Sequence, residues 1–186
     1  MTSDQPSTSV PLRSRRLLLR RFDSADAGPL ADYRSDPAVA RYQSWETPVT
    51  PEVAAALVRE FASGVPGRPG WFQYAIVDTA RGCMMGDLGV RLHDNLRQAE
   101  IGCTIATAYQ GRGYASEAAG LVLDDLFIRA RLHRVSAECD ARNSASAALL
   151  HRLGFTREGC RRAHTWIKGE WTDDVLFGLL AEDRPS

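Results

Sequence analysis

Q-A-E-I-G-C-T-I-A-T-A-Y-Q-G-R-G-Y-A-S-E-A-A-G, residues Gln98 to Gly120, decides the fold of this chain. It opens as a strand, with β-branched Ile101, Thr104 and Ile105 around Gly102. A glycine-rich turn follows, Gln110-Gly111-Arg112-Gly113-Tyr114-Ala115, and then a helix. Ala115, Ala119, Val122, Leu123, Leu126, Phe127 and Ala130 recur at helical spacing and predict one apolar stripe. Strand, glycine loop and helix together aim backbone N–H groups and a positive helix end at an anion. Glycine adopts positive φ and lets a phosphate come close to the backbone. The loop therefore reads as a cradle for a diphosphate. It holds no lysine and no G-x-x-x-x-G-K-S/T, which excludes a nucleoside-triphosphate loop, and G-x-G-x-x-G is absent as well.

Outward from this stretch the chain reads as one α/β domain. At 186 residues it is long enough to bury a substantial core. Its 23 basic residues balance 23 acidic ones, so nothing suggests non-specific nucleic-acid binding. No apolar run reaches transmembrane length and the first residues lack a signal-peptide core, so a soluble cytoplasmic protein is expected. Cys83, Cys103, Cys139 and Cys160 form no C-x-x-C pair and are expected as buried free thiols. The histidines show no metal-binding spacing, so no metal is expected.

Residues 1–12 are rich in Ser, Thr and Pro and are expected to be a disordered tail. Arg15 to Phe22 reads as a strand whose flanking arginines are expected to be solvated. Helices are expected from Asp23 or Ser24 to about Tyr33, from Asp36-Pro37, and from Thr50-Pro51 to Ser63-Gly64. The aromatic loop around Tyr42 and Trp45 is either ordinary packing or the wall of a substrate cleft. Trp71 to Asp78 alternates, and so does Cys83 to Leu92, where Met84, Gly86, Leu88, Val90 and Leu92 are expected on one face. Arg134 to Cys139 is a further strand. Asn143-Ser144-Ala145-Ser146 starts a short helix with Ala145, Leu149 and Leu153 in line, closed by Gly154. Thr156 to Leu180 is a hairpin turning at Ile167-Lys168-Gly169-Glu170.

In this order the motifs carry a resemblance. The loop fits Q/R-x-x-G-x-G/A, the coenzyme A loop of the GNAT acetyltransferase superfamily, and the likeness extends over residues 13–182. Arg16-Leu17-Leu18-Leu19-Arg20 with Asp36-Pro37 is similar to the RimJ/RimL-type branch. So are Glu100-Ile101-Gly102 before the loop, Ala115-Ser116-Glu117-Ala118, Asn143-Ser144-Ala145-Ser146 with Leu153-Gly154-Phe155, and Gly169-Glu170-Trp171. The resemblance implies a GNAT fold: a mixed, mostly antiparallel sheet, splayed at the cofactor site, with helices on both faces.

It also implies acetyl-CoA as co-substrate and direct transfer to an amine in a ternary complex. The diphosphate would sit over Gln110, Gly111, Arg112, Gly113, Tyr114, Ala115 and Ser116, with Cys103, Thr104 and Ile105 along the pantetheine arm and Asn143 near it. Glu100 is the candidate base, with a structural carboxylate paired to an arginine as the alternative. The tyrosine that many relatives carry five residues before the closing phenylalanine is replaced by Leu150, so Ser146 is the candidate acid. The branch implies a protein or peptide α-amine as acceptor, entering beside Trp45 and the hairpin around Lys168. A small-molecule amine (an aminoglycoside or polyamine) is the alternative, and a non-catalytic acyl-CoA-sensing or interaction domain a further one. A homodimer is left open.

Overall fold

The computed structural model describes residues 8–184. The strands are β1 (Leu12–Arg13), β2 (Leu17–Arg20), β3 (Gly70–Asp78), β4 (Met84–Leu92), β5 (Gln98–Ile105), β6 (Arg134–Asp140), β7 (Thr156–Ile167) and β8 (Glu170–Leu180). The helices are α1 (Ala27–Ser35), α2 (Pro37–Ala40), α3 (Pro51–Ser63), α4 (Tyr114–Asp124) and α5 (Ser144–Arg152). Their starts follow local chemistry. Asp36 and Thr50 accept backbone N–H bonds at the starts of α2 and α3, each with proline in the first turn.

The strands form one sheet in the order β1-β2-β3-β4-β5-β6-β8-β7. Every neighbouring pair is antiparallel except β5 and β6, which run parallel and pair only from Gln98–Arg134 to Glu100–Ser136. Beyond Glu100 the two strands separate, and among the described residues no strand pairs with the β6-facing edge of Ile101 to Ile105. The splay is therefore at the centre of the sheet, where α4 begins.

The sheet has an apolar core on each face. Leu19, Ile76, Leu88, Ile101 and Phe177 pack with Val122, Leu123 and Leu126 of the α4 region. On the other face Phe22, Leu30, Tyr33, Val58, Ala75 and Met84 pack under α1 and α3. The stripe on α4 is as expected, although the helix passes into a π turn over Asp125–Arg129.

Several expectations are corrected. Residues 8–12 of the expected tail are placed on the domain: Tyr74 Oη donates to Ser9 O (3.1 Å), Ser9 N donates to Asp125 (2.9 Å), and Leu12 pairs with Leu19. Residues 1–7 lie outside the described residues. Met84 does not share a face with Leu88, because the β3–β4 register shifts between Ile76 and Val77 and Met85 takes the inner position. Arg16 and Arg20 are not merely solvated strand ends. Arg20 grips Asp26 with two bonds (2.7 and 2.8 Å), and Arg16 pairs with Glu117 at the start of α4. Cys160 is exposed on β7, whereas Cys83, Cys103 and Cys139 are half-buried, and all four are free.

Candidate active site

The loop between β5 and α4 keeps its shape through local bonds. Gln110 Nε2 donates back to Ile105 O (2.8 Å), and Gly111 and Gly113 take φ of 72° and 79°, which favour glycine. Thr107 Oγ1 donates to Asp36 (2.6 Å), joining the loop to α2; this bond, with that from Ala38 N, holds the Asp36 carboxyl below its ordinary pKa. Arg16 braces the loop from β2: its Nη1 donates to Arg112 O (3.2 Å), its Nε to Glu117 (2.7 Å), and its guanidinium lies over the Tyr114 ring. Among the described residues, no backbone N–H from Gly111 to Ser116 finds a protein acceptor; the helix ladder begins with Glu117 N to Gly113 O. Consecutive unpaired donors at a helix start are what a diphosphate requires.

This loop forms one wall of a chamber of about 740 Å³. Cys103, Thr104 and Ile105 of the unpaired β5 edge, Gln110, Gly111, Gly113, Tyr114, Ala115 and Ser116 line it, with Asn143 and Ser146 opposite. Of the residues expected at the cofactor, only the Arg112 side chain stands off this wall. Arg152 lines it instead, donating to Ser116 Oγ (3.3 Å), and places a cation beside the free N–H groups. On α5, Leu149 and Ala145 also face the chamber, while Leu150 packs into the core. The expected apolar stripe of that helix is therefore a cleft wall. The chamber suits a long, partly apolar cofactor arm that ends in phosphates.

A second chamber of about 530 Å³ adjoins the first. Cys103, Thr104, Asn143, Ser146 and Leu149 belong to both linings, so the two meet where β5 leaves β6 and α5 starts. Asn143 Oδ1 accepts from Ser146 N (3.1 Å) and so caps α5. Trp45 lines the second chamber and also packs against the core under α1 and α3, so both readings of its loop describe it. Its Nε1 donates to Arg34 O (3.0 Å), and the Arg34 guanidinium stacks 4.4 Å from its ring centroid. The hairpin turn reaches the same side, with Lys168 Nζ donating to Ala40 O of α2. Glu100 stands beside the second chamber and not on its wall. Its carboxylate lies 3.9 Å from Arg91, and burial together with the charge of Glu138 raises its pKa above the ordinary value. Burial pushes the Cys103 thiol up to about 12, which keeps it protonated and unreactive at the junction.

The family model for the acetyltransferase (GNAT) domain matches residues 16–156. The chain belongs to the GNAT family. An N-acetyltransferase of Bacillus licheniformis, p20, is 30% identical over 178 residues, covering 92% of this chain and 97% of its own. The Escherichia coli enzyme named for acetylating alanine of ribosomal protein uS5 is 28% identical, covering 94% and 92%. A GNAT-family acetyltransferase from Bacillus anthracis superimposes with a TM-score of 0.84 at 26% identity, over 93% and 99% of the two chains. As a GNAT protein with these relatives this chain is an acyltransferase, similar to the RimJ/RimL-type branch.

Sequence reasoning missed a buried cluster in the second chamber. Asp87 accepts from Tyr33 Oη, from Gln73 Nε2 and from Arg34 Nη2 (3.3 and 3.4 Å). Its carboxylate is almost fully buried, and burial raises the Tyr33 phenol well above its ordinary pKa. The available signal was a lone aspartate in the apolar run Met84 to Leu92, where burying a charge requires partners.

Proposed function

We propose that this GNAT enzyme moves an acetyl group from acetyl-CoA to a primary α-amine at the start of a peptide or protein, by direct transfer in a ternary complex. The observation that carries this reading is the meeting of two chambers at Cys103, Thr104, Asn143 and Ser146. One is built for a phosphate-bearing arm and the other opens beside Trp45, so two substrates can touch without leaving the cleft. The relative that acts on a ribosomal-protein alanine supports a peptide acceptor.

Acetyl-CoA supplies an activated acyl group on a good leaving sulfur. The residues of this chain would hold and move protons around it. The N–H groups from Gly111 to Ser116, with Arg152, would hold the diphosphate. The free edge of β5 would carry the arm toward Cys103 and Thr104, where a backbone N–H can face the carbonyl oxygen as it gains charge. Glu100, with its raised pKa, takes the acceptor's proton through a water, which leaves the amine lone pair free to attack. Ser146, in the first turn of α5 at the junction, gives its hydroxyl proton to the departing sulfur and recovers one from solvent.

A thiol-release assay over peptides with free Ala or Ser amino termini, polyamines and aminoglycosides tests the reading. Turnover of the peptides is expected. Turnover confined to polyamines or aminosugars would replace the peptide acceptor with a small-molecule one. Acetyl-CoA binding with no turnover of any amine would mean an acyl-CoA-sensing domain.

A further inference from the structure

Three antiparallel rungs across β3, β4 and β5 run beneath the second chamber and give Trp71, Gln73, Asp87, Gly89, Gly102 and Thr104 to its lining. Paired residues share a face, so Trp71–Arg91–Glu100, Gln73–Gly89–Gly102 and Ala75–Asp87–Thr104 lie side by side on the same surface. The middle rung carries two glycines. A Cβ on Gly102 would meet nothing within 4 Å, so this part of the floor is bare backbone open to the cleft. A Cβ on Gly89 would stand 2.6 Å from Gln73 Oε1 and 3.1 Å from Trp71 Cζ3. The Gln73 amide therefore occupies the space over Gly89, with the Trp71 ring beside it.

Its orientation is fixed. Gln73 Nε2 donates to Asp87, and the reverse placement would press an amide oxygen against a carboxylate oxygen. Tyr33 and Arg34 donate to the same carboxylate, so its oxygens are held in place as acceptors. Gln73 Oε1 is thus turned over the glycine rung, and among the described residues nothing donates to it. We infer that Gln73 is an acceptor-binding residue: its Oε1 receives an N–H of the incoming amine, Asp87 is the positioning residue that sets the amide, and Gly89 gives the amide its room. An amide oxygen suits this task because it accepts a hydrogen bond without taking the proton. Along β5, Glu100 lies two residues from Gly102, roughly 7 Å away at ordinary strand rise. An amine held over Gly102 would then stand one water from the candidate base. This inference rests on the proposed acetyl transfer and adds the group that orients its acceptor.

The test has two arms. In isotope-labelled protein saturated with CoA, the Gln73 side-chain amide protons are identified by their loss in Gln73→Leu, and one of the two should resonate downfield from its bond to Asp87. L-Alaninamide, the smallest mimic of a peptide start, should shift these resonances saturably. In steady state with an Ala-initiated peptide, Gln73→Leu and Gly89→Ala should each raise the acceptor KM about tenfold, the cost of one lost hydrogen bond, with kcat and acetyl-CoA affinity nearly unchanged. A saturable shift without acetyl transfer would keep the inference and remove the proposed function. Peptide turnover with an unmoved Gln73 resonance, or with an unchanged KM in both variants, would remove the inference and keep the function.

Discussion

The two chambers of this cleft are built from different material. The cofactor chamber draws its polar wall from backbone, the consecutive N–H groups from Gly111 to Ser116 and the open edge of β5 within one stretch of chain, with α5 side chains opposite. The acceptor chamber is mostly side chains gathered from distant segments, with Arg34 from α1, Trp45 from the following loop, Gln73 from β3 and Asp87 from β4. Backbone geometry tolerates most substitutions that keep the glycines, whereas a side-chain wall changes with each residue. A fold can thus hold one half constant and vary the other, and fold alone does not settle a substrate.

The comparison predicts that proton transfer at the junction and beside it is the most sensitive to change. Glu100→Gln should lower kcat by about 10²–10⁴-fold, the range of a positioned base, and high pH should relieve part of the loss because more amine is already deprotonated. Ser146→Ala should fall in the same range with acetyl-CoA affinity nearly intact. Stopped-flow thiol release across pH measures both. If Ser146→Ala keeps full kcat, the serine only starts the helix and the sulfur leaves with a proton from water.

Next in size is the acceptor wall. Arg34→Met keeps volume between Trp45 and Phe61 but leaves the Asp87 carboxylate buried without its cation. Breaking a buried pair this way typically costs about 3–5 kcal/mol, read as a lower urea midpoint. An unchanged midpoint would show that Tyr33 and Gln73 suffice for Asp87. The smallest effect is on pH dependence. Burial and Glu138 hold the Glu100 carboxyl above its ordinary value, so the acid limb of kcat should lie above that value too. Removing the like charge with Glu138→Gln lowers the Glu100 pKa and should move the limb to lower pH. A limb that stays in place would assign it to another group.

How much of this was legible in the sequence follows from the same contrast. Helix caps, the two left-handed glycines and the hairpin turn depend on neighbours in the chain, and each stands as expected. The bulge that turns Met84 away from Leu88 depends on the strand opposite and leaves no mark in the alternation. Arg16 read as a solvated strand end, since only the folded chain brings it to Glu117, about a hundred positions later. Gln73 looked like one polar residue in an alternating strand. Its role emerged only when Gly89 and Asp87 were seen beside it across the sheet. Contacts that close over long sequence distances encode register, which one strand's pattern does not carry.

The central claim is that the free N–H groups around Gly113 hold the acetyl-CoA diphosphate, independently of the acceptor half. Calorimetric titration of acetyl-CoA into the wild-type protein and Gly113→Val tests it most directly, with circular dichroism to show that the variant is folded. The wild type should bind one equivalent. Valine strains at φ of 79° and turns the donors away, so one or two charge-assisted bonds of about 1.5–3 kcal/mol each are lost and affinity should fall on the order of 100-fold. Undiminished affinity in a folded Gly113→Val protein would contradict the account.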